Sequence, residues 1–115
     1  MSRSALATSA IRDAAPLFAA LGDQTRLQVL ARLCADGPDS IAGLSEHAHV
    51  TRQAITKHLE VLAGAGLVVG KREGREHIWS FVPERFDDAK GYLDRISAQW
   101  DNALARLAKL VEEDD

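Results

Sequence analysis

Residues 50–62, with the sequence VTRQAITKHLEVL, carry the pattern that decides the fold. Ile55, Leu59 and Leu62 recur at spacings of four and three, which places them on one stripe of a helix. The polar residues of the stretch project from a different face, and they are Arg52, Gln53, Thr56 and Lys57. Side chains of these types reach base edges and phosphates. The stretch therefore indicates a helix that can read DNA, although a surface helix whose polar face only meets water has the same pattern.

The start of this helix is marked by Thr51, whose hydroxyl can accept a hydrogen bond from a free backbone N–H as an N-cap. Val50 precedes it and can pack on Ile55 as a hydrophobic staple. With Thr51 as the cap, Arg52 and Gln53 fall in the first turn, the part of a recognition helix that enters the major groove. Local signals therefore set the register of the predicted helix.

Charge is distributed unevenly along the 115-residue chain, whose formal net charge is −3. Residues 51–83 hold five basic and three acidic side chains, whereas residues 84–115 hold five basic and nine acidic ones. A local patch matters more for phosphate contact than the total, because distant charge is screened within about 8 Å at physiological salt. The positive balance of residues 51–83 is therefore compatible with DNA binding, and the acidic end is expected to face away from the nucleic acid.

Length and composition predict one globular domain over residues 1–115. The first ten residues lack the apolar core of a signal peptide, and no apolar run approaches the roughly 20 residues that span a bilayer. We therefore expect a cytoplasmic protein with no membrane partner. We do not expect catalytic activity, because the sequence offers no Ser/His/Asp set, no phosphate-binding glycine loop and no carboxylate pair in a plausible pocket.

Three helices are predicted before the recognition helix. The first runs from about residue 9 to residue 21, where Gly22 stops it, and Asp23 caps the second. The second helix ends at the breaker of residues 36–38, and a short third helix begins at Ser40. Its spacing predicts these inward-facing residues for the second helix: Leu27, Leu30, Ala31 and Cys34. Residues 40–65 thus form a helix-turn-helix.

Cys34 is the only cysteine, which excludes an internal disulfide and a cysteine-pair metal site within one chain. Its neighbours in LARLCADG are mainly apolar. We therefore expect a small buried side chain near a helix end and not a reactive thiol.

After residue 66 the hydrophobic period changes from 3.6 toward 2. Residues 67–72 and 75–82 read as two strands joined around Glu73 and Gly74, a β-hairpin in which glycine supplies the turn. A hairpin that follows a helix-turn-helix is a wing, here residues 67–82. The fold class is therefore mainly α with a small β-hairpin, a winged helix-turn-helix.

The last predicted helix, residues 84–112, is long for a domain of this size. Its apolar residues repeat at alternating spacings of three and four, the pattern of a helix that packs lengthwise on another helix. An ordinary core-facing helix can show the same stripe, but we favour a homodimer formed through the terminal helices. The residues expected in the dimer interface are Ile11, Phe18, Leu93, Ile96, Trp100, Leu107 and Leu110. Residues 1–8 are expected to be a flexible tail.

The order of these segments resembles the ArsR family of bacterial transcriptional repressors. The segment LFAALGDQTRLQVLARL is similar to the family's opening motif, and TRQAITKHLEVLAGAGLV is similar to its recognition helix. The wing sequence KREGREHIWSF and Trp100 are similar to a branch that often has no metal motif. The resemblance implies a homodimer whose two recognition helices enter successive major grooves of an inverted repeat and block a promoter.

The resemblance also implies the residues that would contact DNA. In the recognition helix they are Thr51, Arg52, Gln53, Thr56 and Lys57, and in the wing they are Lys71, Arg72 and Arg75. The helix residues would contact bases and phosphates, and the wing residues would contact the backbone or the minor groove. Solvated hairpin charge is the alternative interpretation of the wing residues.

Three further positions carry expectations about local structure. His49 stands where relatives often have glycine, so it is expected to adopt a positive φ, which histidine tolerates better than most residues. Arg26 could contact a phosphate or pair with an acidic neighbour. His58 is expected to form a hydrogen bond across the domain and not to titrate as a switch.

No signal site can be read from the sequence. The third-helix region has no cysteine, and residues 84–115 contain no histidine, so the two common metal-ligand sets of the family are missing. Glu46, His47 and His49 remain, but zinc normally takes about four ligands, so we expect capping or exposed histidines and no cofactor. Whether an inducer exists stays open. So do two alternatives, a metal- or redox-responsive sensor and a winged-helix interaction module that does not read DNA.

Overall fold

The computed structural model describes residues 8–113, which form five helices and three short strands. The expected flexible tail lies outside the described residues except for Thr8, which already belongs to the first helix. The elements are α1 (Thr8–Leu21), α2 (Gln24–Asp36), β1 (Asp39–Ser40), α3 (Ile41–Ala48), α4 (Arg52–Gly64), β2 (Val68–Glu73), β3 (Glu76–Phe81) and α5 (Pro83–Glu113). The predicted helix-turn-helix corresponds to α3 and α4, and the predicted wing corresponds to β2 and β3.

One apolar core joins the first four helices to the sheet. Its most deeply buried side chains come from several elements or their ends, and they are Leu17, Leu44, Ile55, Leu59, Leu62 and Leu67. Burying a large aliphatic side chain contributes about 1.5–3 kcal/mol. The three buried residues of α4 therefore hold its rotation about its own axis firmly.

The rotation of α2 differs from the sequence prediction. Leu27 is 50% exposed and Cys34 is exposed, so the prediction that they face inward is wrong. Ala31 is also exposed. The inward residues are Val29, Leu30 and Leu33, which are buried. Both faces of α2 carry apolar residues, and spacing alone cannot choose between them.

The thiol of Cys34 is not fully solvated, although the residue is exposed. Partial burial raises the pKa of the Cys34 thiol above its ordinary value. A higher pKa lowers the thiolate fraction, and the thiolate is the nucleophilic form.

The sheet contains one strand more than predicted. β1 pairs antiparallel with β3, giving the order β1-β3-β2, with Asp39 opposite Trp79 and Ser40 opposite Ile78. Two residues show no alternation, so the sequence pattern could not indicate this strand. β1 fixes the wing to the chain that leads into α3, because Ser40 is also the N-cap of α3 and accepts a hydrogen bond from the Gly43 N–H at 3.2 Å.

The turn between α3 and α4 confirms the expectation for His49. This residue adopts φ 56° and ψ 37°, the left-handed conformation, and it is the only residue other than glycine with a positive φ in residues 8–113. The left-handed region costs an L-residue with a Cβ roughly 1–2 kcal/mol. The sharp change of direction between the two helices is therefore obtained at some cost in stability.

Arg26 lies at the junction of α1, α2 and α4. Its guanidinium donates to the Ala20 carbonyl at 2.7 Å and to the Ala19 carbonyl at 3.3 Å, and its Nη1 lies 3.3 Å from Nδ1 of His58. The sequence left a phosphate and an acidic neighbour open for Arg26. The hydrogen bonds of its guanidinium go to backbone carbonyls and to His58, and its charge also acts on the Asp23 carboxylate. The expected hydrogen bond of His58 across the domain is confirmed. Arg26 donates to carbonyls at the end of α1 and links them to the recognition helix.

Asp23 completes this junction as the N-cap of α2, which confirms its predicted role. Its carboxylate accepts a hydrogen bond from the Arg26 backbone N–H at 3.0 Å. This bond, with the nearby positive charge of the Arg26 guanidinium, holds the pKa of the Asp23 carboxyl below its usual value.

Only the first part of α5 packs against its own domain. Ala89 is its one buried residue in the described chain, and Phe86 packs on Phe81 with ring centroids 4.5 Å apart. Beyond that point the apolar residues are exposed, among them Trp100 at 63% and Leu107 at 58%. The domain is consequently elongated, 69 × 30 × 20 Å. No described helix is both long and apolar enough to cross a membrane.

Replacing Arg26 by methionine keeps most of the apolar stem and removes the three guanidinium contacts. We expect Arg26→Met to lower the free energy of unfolding by about 1–2 kcal/mol, because two helix-end carbonyls lose a charged donor. Arg75→Met, at an exposed turn, is the matched control and should change it by no more than about 0.5 kcal/mol. Urea unfolding followed by circular dichroism at one protein concentration measures both. Equal stability of the two variants would show that the Arg26 contacts contribute nothing.

The left-handed conformation of His49 gives a second test. His49→Gly should be at least as stable as the wild type, because glycine adopts this conformation without the Cβ penalty. His49→Val should be less stable by about 1–2 kcal/mol, because a β-branched residue tolerates a positive φ poorly. The same unfolding measurement applies. A valine variant as stable as the glycine variant would contradict the assigned turn conformation.

Candidate nucleic-acid interface

The recognition helix α4 is built by burying one face completely. Ile55, Leu59 and Leu62 have no exposed surface, so the remaining arc of the helix faces outward. The predicted N-cap is confirmed, since the Thr51 hydroxyl accepts a hydrogen bond from the Ala54 N–H at 3.1 Å. Arg52 therefore stands in the first turn and is exposed.

Two hydrogen bonds join α4 to other elements of the domain. In its middle, His58 is bonded to Arg26 of α2. Just after its end, Nε of Arg85 donates to the Ala65 carbonyl at 2.8 Å. A helix held at two points presents its outward side chains in fixed positions, which is what precise contact with a partner surface requires.

The outward face of α4 borders an open depression of about 690 Å³. All five residues that the sequence assigns to the helix contact with DNA line it, and they are Thr51, Arg52, Gln53, Thr56 and Lys57. Ala54 and Glu60 also line it. The structure thus places the predicted helix residues on one continuous surface.

Thr56 is constrained in what it can offer to a partner. Its hydroxyl donates to the Arg52 carbonyl one turn earlier at 2.8 Å. With its proton committed to the backbone, the oxygen can still accept a hydrogen bond, and the methyl group can contact an apolar atom such as the thymine methyl.

A second groove, of about 390 Å³, separates α4 from the wing. Arg52 and Thr56 line it from the helix, and Arg75 and His77 line it from the hairpin. Ser40, Ile41, Ala42 and Glu76 complete its walls. The fold therefore brings a wing cation, Arg75, to the same groove as a recognition-helix cation.

The other two wing cations are not equivalent to Arg75 or to each other. Arg72 pairs across the ladder with His77, and Lys71 pairs with Ile78. Successive side chains of a strand point to opposite faces. Lys71 and Arg72 are both exposed but project from opposite faces of the hairpin, so they cannot make the same contact.

The Arg72 face of the hairpin is closely packed at its base. His77 stacks on Trp79 with ring centroids 4.7 Å apart, and a Cβ at Gly70 would collide with the His77 imidazole. Gly70 therefore permits the stacking that holds His77 over the strand.

The cations of this surface are available to a partner. Within residues 8–113, the ion pairs involve Arg32, Arg85 and His58, and none involves a side chain of the depression or the wing. Arg52 and Lys57 beside the depression and Arg75 beside the wing groove thus carry positive charge without forming an ion pair, although the chain as a whole is acidic. Unpaired surface cations are the requirement for neutralising phosphates.

Glu60 and His77 are among the residues of this surface that sequence reasoning did not assign to it. Glu60 follows Thr56 by four residues and Lys57 by three, so helical spacing could have placed it beside them. His77 reaches the groove through the hairpin register, which the sequence does not specify.

Two histidines, His47 and His49, lie at and after the end of α3. His47 bonds through Nδ1 with the Gly43 carbonyl of its own helix at 2.9 Å, a C-terminal capping contact. Both histidines line a cavity of about 320 Å³, together with Gln28 and Arg32. Across residues 8–113, no three His, Cys, Asp or Glu side chains come together in a metal-binding group.

Comparison with known proteins agrees with this geometry. Residues 21–70 match the model of a helix-turn-helix domain family. The chain is 33% identical over 95 residues to an HTH-type transcriptional regulator, Rv2034, of Mycobacterium tuberculosis, covering 83% of this chain and 85% of that protein. It is 32% identical to the arsenical resistance operon repressor of Bacillus subtilis, covering 66% of this chain and 70% of the repressor.

A solved structure extends the likeness to the whole fold. The ArsR-like transcriptional regulator from Rhodococcus sp. RHA1 superposes with a TM-score of 0.79 at 34% identity, covering 90% of this chain and 96% of that one. With nine-tenths of this chain covered, the likeness reaches well beyond the helix-turn-helix. The chain belongs to the ArsR family of winged helix-turn-helix transcriptional regulators and is a DNA-binding protein of that class.

Proposed function

We propose that this protein is a dimeric repressor that binds an inverted-repeat operator in the cytoplasm and acts by binding alone, without catalysis. One observation carries the proposal: the exposed cations and amide of α4 share a single open depression that continues into the wing groove. A positively charged helix face of this kind fits the major groove, which admits an α-helix.

Arg52, Gln53 and Lys57 have distinct roles in this proposal. Arg52 stands in the first turn and can bind guanine O6 and N7 with two hydrogen bonds, while Gln53 can do the same with adenine. Lys57 lies one turn later and carries a single mobile charge, which suits a phosphate. Arg75 approaches the backbone from the wing side of the same groove.

The exposed part of α5 supports the dimer. Leu93, Ile96, Trp100, Leu107 and Leu110 are all exposed, and Ile11 of α1 is 46% exposed. A contiguous apolar surface of this length marks a protein interaction site. Phe18, also assigned to the interface, is half-buried and packs on Tyr92 of its own chain with ring centroids 5.5 Å apart, so it offers only part of its ring.

A dimer would place two recognition helices on one operator. A dimer with twofold symmetry has two α4 helices related by that symmetry, so the matching DNA sequence is an inverted repeat. If the two helices enter successive major grooves on one face of the DNA, the half-sites are about 34–36 Å apart. Binding across a promoter would exclude the polymerase. An inducer that releases the DNA would be a separate feature, and neither α4 nor the wing identifies one.

The DNA contacts are tested by substitutions in α4. Lys57→Ala should weaken binding to all duplexes similarly and reduce the slope of log K against log salt by about one for each phosphate that the lysine neutralises. Arg52→Ala should reduce the preference for the operator over random DNA by roughly 1–3 kcal/mol per half-site. Fluorescence anisotropy with both duplexes across a salt series measures both quantities.

Lys109→Ala is the matched control for these variants, because Lys109 is an exposed cation near the far end of α5. It should leave affinity and salt slope nearly unchanged. If Arg52→Ala and Lys57→Ala bind both duplexes as the wild type does, α4 is not the reading surface. The protein would then be better described as a winged-helix interaction module.

The dimer is tested at Trp100, the most exposed large apolar side chain of α5. Trp100→Glu should dissociate the dimer, because a carboxylate would be buried against apolar surface. Asn102→Glu adds the same charge two residues away and should preserve the dimer. Sedimentation equilibrium gives the mass of each variant. An unchanged dimeric mass for Trp100→Glu would remove α5 from the interface.

A further inference from the structure

Glu60 is the one acidic side chain among the residues that line the depression on α4. It is exposed in the third turn of α4 and lines the same depression as Gln53 and Lys57. It forms no ion pair within the part of the chain that the structure describes, including none with Lys57 one turn earlier. Its carboxylate therefore faces the DNA side without an ionic partner.

A carboxylate in this position opposes nonspecific binding. DNA carries one negative charge per about 1.7 Å of helix axis, so Glu60 is repelled wherever the helix approaches the duplex. Its negative charge also cancels one of the two positive charges of the depression, those of Arg52 and Lys57, in the nonspecific attraction to DNA. Affinity alone would be served better by a neutral or basic residue.

In the major groove, a carboxylate has one preferred partner among the bases. It can only accept hydrogen bonds, and the exocyclic N4 amine of cytosine is the donor with which Glu and Asp pair. Guanine and thymine present acceptors at the corresponding edge, which would repel it. Adenine also offers an amine, N6, but beside the N7 acceptor, so a carboxylate at this edge favours cytosine over the other three bases.

We propose that Glu60 is a specificity-determining residue that selects a cytosine in each half-site and suppresses binding to other DNA. This inference rests on the proposed function of α4 as the recognition helix. Glu60 follows Arg52 by eight residues, a rise of about 12 Å along the helix. With base pairs about 3.4 Å apart, the selected cytosine lies roughly three to four base pairs from the base that Arg52 contacts.

The experiment selects binding sequences from a pool of duplexes with a randomised central region, using the wild type, Glu60→Gln and Glu60→Ala. The wild type should enrich an inverted repeat with cytosine at one position of each half-site. Glu60→Ala should lose the preference at that position and keep the rest of the motif. Glu60→Gln should change the preference toward adenine, with which glutamine forms two hydrogen bonds.

Affinity for a random duplex gives a second readout on the same proteins. Both Glu60 variants should bind it several-fold more tightly than the wild type, and their operator-to-random ratio should fall roughly 5- to 100-fold. Glu112→Gln removes the same charge near the exposed end of α5 and is the matched control. It should reproduce neither effect, because distant charge is screened at physiological salt.

The outcomes separate this inference from the function on which it rests. If all three proteins enrich the same motif with equal random-DNA affinity, Glu60 does not determine specificity, while the recognition role of α4 stands. If Glu112→Gln tightens random binding as much as Glu60→Gln does, the effect is one of net charge and the inference fails. If the wild type enriches no motif at all, the proposed function itself fails.

Discussion

The complete burial of Ile55, Leu59 and Leu62 is the constraint on which the rest of the site depends. A helix can rotate about its axis only by exchanging buried for exposed residues, and exposing these three side chains would cost several kcal/mol, at about 1.5–3 kcal/mol for each. Rotation of α4 is therefore fixed by the core. The outward face of α4 is fixed with it, so the buried side chains determine where the exposed polar side chains of the helix lie.

The junction around Arg26 extends this constraint to the rest of the molecule. The guanidinium bonds to the end of α1 and to His58 of α4, so the recognition helix is held to a helix that contributes Ile11 to the exposed apolar surface. At the other end of α4, Arg85 bonds from α5 to the Ala65 carbonyl. Of the two helices proposed to form the dimer, α1 is thus linked to α4 through Arg26 of α2, and α5 is bonded directly to the residue after α4. In the proposed dimer, these links restrict how far each recognition helix can move relative to the interface.

Features set by a few consecutive residues could be predicted from the sequence. The caps at Asp23 and Thr51 and the left-handed His49 depend on local backbone geometry, and the structure confirms them.

Features set by distant contacts could not be predicted from the sequence. The β1–β3 pairing joins segments far apart in sequence, and so does the hydrogen bond expected of His58, whose partner, Arg26, the sequence did not identify. The rotation of α2 was ambiguous because apolar residues lie on both of its faces. The candidate site likewise combines local and distant contacts. Helical spacing grouped the polar residues of α4, but it did not show that Arg75 of the wing lines a groove with Arg52 and Thr56.

The central claim is that α4 and the facing side of the wing form the surface that meets DNA. It is tested most directly by titrating ¹⁵N-labelled protein with a selected operator duplex and mapping the amide resonances that shift. The largest shifts should fall in the first three turns of α4 and around Arg75, with residues 100–113 of α5 nearly unaffected. Shifts concentrated on α5 or on the exposed face of α2, with α4 unchanged, would contradict the claim.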